Sequence, residues 1–222
     1  MRKEEPFSSS GHQIHHKGWE RVKLHKKFAL LSGGALFLLF SLTSPARLHA
    51  EGRQFDPESS IITVRVFKSG LFSFLAHDHV IRANGLQGLA EIGESPSVAF
   101  QLRAGQLKVI DPEISAKERA EVQQTMEGEK VLNVNQYPEI RFQSVSVIKQ
   151  ASDRWEVHGN LTFHGRSRTV LFTVHEDGGR YRGKTTLRQK DFEIEPIRIA
   201  AGAVSVKDEV EIEFDVGLAS KP

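Results

Sequence analysis

His77, Asp78 and His79 are the residues of this chain whose types and spacing most invite chemistry. On a strand, the two imidazoles point to one face and the carboxylate to the other. Two histidines spaced by two can share a zinc or copper ion once a neighbouring strand adds a third ligand. His158 and His164 stand at the polar positions of a later alternating run and could supply it. The same three residues also fit a quieter role. One imidazole would hydrogen-bond at the mouth of a barrel, Asp78 would set its tautomer, and the other imidazole would sit in water. Ser73 lies close by but reads as a plain strand serine. No G-x-S-x-G, Walker A or G-x-G-x-x-G pattern occurs, so hydrolase and nucleotide-binding readings have no motif to stand on.

Composition narrows the setting. The chain has 222 residues, 39% hydrophobic and 26% charged, with no Cys. That is too apolar for a disordered chain and too charged for a polytopic membrane protein. Without Cys there is no disulfide framework, thiolate metal site, thiol nucleophile or lipidated N-terminal cysteine.

Residues 1–50 differ from the rest. Arg21 to Lys27 is basic, Phe28 to Leu42 is an uncharged run of 15, and Ser44-Pro45-Ala46 and Leu48-His49-Ala50 follow. This is the three-part layout of a secretory signal, with cleavage expected after Ala46 or Ala50. An uncleaved N-terminal membrane anchor is the alternative, though a spanning helix needs about 20 apolar residues. Residues 1–20, with His12, His15 and His16, read as an extension ahead of the signal. Removing 1–50 leaves 22 basic and 25 acidic residues, a net charge of −3 for 51–222. No electrostatic case for nucleic acid survives. The expected organisation is a removed leader, 1–50, and one domain, 51–222, in the periplasm or secreted.

Most of 51–222 reads at period two. Val98, Phe100 and Leu102 alternate with polar or small residues. So do Trp155, Val157, Gly159, Leu161 and Phe163, and then Val210, Ile212, Phe214 and Val216. Each run predicts a strand with one apolar and one wet face. Glu209, Glu211, Glu213 and Asp215 form the wet face of the last. Arg180, Arg182, Lys184 and Arg188 form another, which could also touch anionic headgroups at a membrane surface. Asp111-Pro112-Glu113 predicts a helix start with Asp111 as the cap. The helix would run from Ile114 to Met126, with Ile114, Val122 and Met126 toward the sheet. About eight antiparallel strands and one helical insertion favour a barrel or a sandwich.

Three stretches then carry a resemblance. Tyr137-Pro138-Glu139-Ile140-Arg141-Phe142-Gln143-Ser144 is followed by Val157-His158-Gly159-Asn160-Leu161-Thr162-Phe163-His164-Gly165 with Arg168-Thr169-Val170. Val206-Lys207-Asp208-Glu209-Val210-Glu211-Ile212-Glu213-Phe214 closes the set. In this order they resemble the YceI-like family across 53–218. The chain departs from that pattern at Val131-Leu132-Asn133-Val134, where an aromatic pair is usual, and at Glu193, where Gly is expected. The resemblance implies an exported, lipocalin-like antiparallel barrel that holds a polyisoprenoid, isoprenoid quinone or fatty-acyl lipid. It implies a binding protein, with no catalytic residue and no cofactor beyond the lipid.

The expected apolar wall is Phe100, Leu102, Phe142, Val157, Leu161, Phe163, Phe172, Ile212 and Phe214. His77, Asp78 and His79 would meet the ligand headgroup at the barrel mouth. The competing readings are a metal-binding periplasmic protein using His77 and His79, and a lipid-modifying enzyme with Asp78 and His79 as acid and base. Oligomeric state is not readable from these patterns.

Overall fold

The computed structural model describes residues 51–70 and 77–220. The leader, its cleavage sites and Ser73 lie outside the described residues. The strands are β1 (Glu51–Gln54), β2 (Ile61–Ser69), β3 (His79–Ala83), β4 (Gln87–Ile92), β5 (Ser97–Arg103) and β6 (Leu107–Val109). Helix α1 (Ala116–Glu127) follows. Then come β7 (Glu139–Ala151), β8 (Arg154–Phe163), β9 (Arg166–Asp177), β10 (Arg180–Arg188), β11 (Arg198–Ile199) and β12 (Val204–Gly217).

They form one antiparallel sheet in the order β1-β4-β5-β7-β8-β9-β10-β12-β2-β3-β6, with β11 beside β12. The all-β, lipocalin-like class is as expected, but the described residues hold twelve strands rather than about eight. Three of the twelve, β1, β6 and β11, are two to four residues long. Strands that short are made by their neighbours' hydrogen bonds and leave no countable alternation in the sequence.

The sheet curls into a half-barrel. Just past β1, Phe55 forms a bridge with Leu218, just past β12. Asp56 N donates to the Gly217 carbonyl at 2.9 Å, and Ala219 N to that of Gln54 at 2.8 Å. Strand β6, at the other edge, would leave its backbone groups open. Gln123 of α1 covers them: Val109 N donates to its Oε1 at 2.8 Å, and its Nε2 donates to the Leu107 carbonyl at 2.9 Å. One side-chain amide thus stands in for the missing strand neighbour.

The helix begins later than the sequence predicts. Ser115, not Asp111, caps it: Glu118 N donates to Ser115 Oγ, and Ser115 N donates to the Glu118 carboxylate. This reciprocal pair satisfies two otherwise open donors. Asp111 is unavailable as a cap because its carboxylate is already used against β3. Ile114 and Met126 are buried and Val122 packs on the core, on the side expected.

The outer face of β10 and β12 accounts for both charged stripes. Their register sets Arg182 opposite Asp215, Lys184 opposite Glu213 and Arg188 opposite Glu209. Asp215 takes Arg180 at 2.7 Å and Arg182 at 3.1 Å, and Glu213 takes Arg65 of β2 at 3.4 Å. The stripes answer each other across the strands.

Candidate functional site: an apolar cavity inside the sheet

The inward faces of the strands enclose a cavity of about 480 Å³. This volume lies within the range of small-ligand sites, roughly 300–1,000 Å³. All nine expected wall residues line it: Phe100, Leu102, Phe142, Val157, Leu161, Phe163, Phe172, Ile212 and Phe214.

Four of them form a row across the sheet. Ring centroids are 5.1 Å apart for Phe100–Phe142, 5.4 Å for Phe142–Phe172 and 5.5 Å for Phe172–Phe214. Phe142 and Phe172 stand on β7 and β9, with β8 between them, and they meet because β8 presents Gly159. A Cβ there would lie 2.3 Å from Phe142 Cζ. Gly183 of β10 does the same between Phe172 and Phe214, where a Cβ would lie 2.4 Å from Phe214 Cζ. Two inward glycines thus let rings from alternate strands touch. Such ring pairs add about 0.5–1.5 kcal/mol each beyond their buried area.

The cavity has two unlike ends. One is lined by the buried Phe192, Ile194, Met126 and Leu132, with Phe163 against Phe192 at 5.4 Å. There His164 Nδ1 donates to the Phe192 carbonyl at 2.9 Å and fixes the turn after β8. The other end is lined by Ile92, Gly93, Pro96, Ser97, Lys149, Trp155 and Tyr181. Ile92 is 42% exposed, so water reaches this rim. Trp155 and Tyr181 face each other at 6.2 Å, with Lys149 Nζ 5.7 Å from the Trp155 ring centroid. Burial pushes the Tyr181 phenol above its usual range, Glu176 adds to this, and Arg53 opposes it.

His77, Asp78 and His79 do not line the cavity. Asp78 and His79 make local hydrogen bonds instead. Asp78 Oδ1 accepts from Lys68 N at 2.8 Å. His79 Nδ1 donates to Asp111 Oδ2 at 2.6 Å, and Val80 N donates to Asp111 Oδ1. Asp111 is 2% exposed, and Arg119 Nε donates to its carbonyl at 3.0 Å. A buried carboxylate thus ties the start of β3 to the segment between β6 and α1. His77 is exposed.

Nor do the other histidines converge on this cluster. His158 pairs with Glu156 at 2.7 Å on the outside of β8, and His164 holds the Phe192 carbonyl. Among the described residues, no group of three or more His, Asp or Glu is placed to hold a metal ion.

Sequence reasoning missed Asp111 and Lys149. Asp111 looked like a helix cap because Pro and Glu follow it. Lys149 is hidden by a bulge in β7 between Ser144 and Ser146. Counting in twos from Phe142 puts Ile148 inside and Lys149 outside. After the bulge, Val147 and Lys149 face inward and Ile148 is exposed.

The YceI-like domain matches residues 54–218. The chain belongs to the YceI-like family. Among solved structures, this YceI-like chain is similar to Burkholderia cenocepacia BcnA, with a TM-score of 0.59 at 15% identity over 75% of this chain and 99% of that one. It is also similar to a polyisoprenoid binding domain from Saccharophagus degradans implicated in plant cell wall breakdown. There the TM-score is 0.53 at 12% identity, over 76% of this chain and 98% of that one. At these identities the likeness is one of fold. A search of curated proteins gave no match.

Proposed function

We propose that this YceI-like protein is an exported carrier that holds one long apolar ligand, a polyisoprenoid, isoprenoid quinone or fatty-acyl lipid, inside the half-barrel. The observation that carries the reading is the continuous phenylalanine-lined cavity of about 480 Å³. Each methylene moved there from water contributes about 0.8 kcal/mol, so an alkyl or prenyl chain binds tightly without polar help. The polyisoprenoid binding domain of similar fold supports the ligand class. The basic and apolar segments of residues 21–42 support export to the periplasm or beyond. The reading requires no catalytic group and no cofactor beyond the lipid.

Native mass spectrometry of the protein purified from a periplasmic fraction tests it. A single organic adduct, lost on denaturation and extractable into solvent, is the expected result. Phe163→Glu places a charge against Phe192 on the cavity wall and should abolish loading. Equal loading of wild type and F163E would remove the cavity from the account.

A further inference from the structure

We infer that the rim around Trp155 and Tyr181 is the headgroup subsite for an acidic single-chain amphiphile, with Lys149 and Arg53 as the groups that select the acid. This rests on the carrier reading above and adds the chemistry of the ligand's polar end.

Three observations lead there. First, Lys149 occupies the last inward position of β7, beyond Val147, where an apolar wall residue would be expected. It makes no ion pair among the described residues and lies over the Trp155 face. Second, Arg53 also faces inward, since its register partner on β4 is the wall residue Ala90. Its Nη2 donates to the carbonyls of Leu218 at 3.4 Å and Ala219 at 3.0 Å, and it pairs with no carboxylate among the described residues. Its Nε is enclosed and has no hydrogen-bond partner. Third, the opposite end of the cavity is lined mainly by buried apolar side chains, and its polar lining residues are engaged elsewhere: Arg188 lies 3.8 Å from Glu209, and Gln189 Nε2 donates to the Lys207 carbonyl at 2.8 Å.

Two acids near the rim, Glu91 and Glu176, are already engaged. Glu91 accepts from Ser97 Oγ at 2.8 Å and stands two strands from Lys149, on β4 rather than β7. Two strand spacings amount to about 10 Å, already more than the roughly 8 Å over which exposed charges are felt at physiological salt. Glu176 accepts from Gly179 N at 3.1 Å. Arg188, the remaining basic wall residue, lies 3.8 Å from Glu209. Lys149 at the lip of the apolar cavity and Arg53 close to Tyr181, neither of them ion-paired among the described residues, therefore favour a carboxylate or phosphate there. Charge-assisted hydrogen bonds at such a site are about twice as strong as neutral ones. The chain of the ligand enters first and its acid stays at the rim.

The test is calorimetric titration of the full chain with hexadecanoic acid, hexadecyl phosphate and hexadecanol, which differ only in the head. At least one acid should bind about tenfold more tightly than the alcohol, a gap of about 1.4 kcal/mol, and the tighter one names the head. In Lys149→Met the acid-to-alcohol ratio should collapse toward one. Lys149 is exposed, so an unchanged melting curve shows that the variant is folded. Equal affinities for all three heads in the wild type, or a preference that survives K149M, would overturn the subsite while leaving the carrier reading intact. Failure of the alcohol and both acids to bind would instead overturn the carrier reading itself.

Discussion

Phe142 and Asp111 are equally enclosed, each 2% exposed, and they hold the molecule together by different means. Phe142 touches rings on either side and lies over Gly159, and its contribution grows with the area it covers. Asp111 covers little area. It takes hydrogen bonds from His79 and Val80 and so locks β3 to the segment that leads into α1. An apolar residue succeeds on being turned inward. A buried carboxylate succeeds only if particular donors, distant in sequence, are aimed at it.

The sharpest way to break this comparison is Phe142→Ala. Removing a buried ring at the centre of the row should cost about 3–5 kcal/mol, read as a fall in the urea midpoint. A loss under about 1 kcal/mol would mean that the row collapses freely and is not a packed core.

Asp111→Ala against His79→Ala sharpens the other side. D111A leaves Val80 N and the imidazole without an acceptor and should cost about 2 kcal/mol, within the range of 1–3 for orphaned polar groups. H79A removes one partly exposed donor and should cost about 1 kcal/mol or less. Equal losses would show that the imidazole contact, rather than the backbone tie, carries the knot. Neither variant should change lipid loading, because neither residue lines the cavity.

The smallest effect belongs to the outer face. Burial raises the Asp215 carboxyl, but the hydrogen bonds from Arg182 and Arg180 outweigh it and hold the group below its usual range. Its stabilisation is therefore present at neutral pH, above the ordinary carboxylate range, and is lost as pH falls through the lowered value. Asp215 is 42% exposed, so Asp215→Asn should cost about 0.5 kcal/mol or less at neutral pH. The gap in melting temperature between wild type and D215N should close on acidification. A gap that persists at low pH would assign the effect to packing.

Alternation at period two made the long strands and the wall positions legible. It works because residues two apart on a strand share a face whatever the neighbouring strands are. The same rule failed at β7, where one extra residue reverses the faces, turns Ile148 outward and sets Lys149 on the cavity side at the rim. It failed too at β1, β6 and β11, whose existence depends on partners. The His77-Asp78-His79 triplet drew attention through its residue types alone. Its most constrained member, His79, took its role from Asp111, 32 positions away.

By itself, then, the order of residues determined the fold class, the family and the apolar face of the long strands up to the bulge in β7. Hydrophobic periodicity is local, and every copy of it points the same way. The tertiary structure alone decided which polar groups matter, because a polar group is defined by its partners. The buried tie at Asp111, the amide of Gln123 along the edge of β6, Lys149 over the Trp155 ring and Arg53 against the Ala219 carbonyl all arise where separate strands and α1 meet.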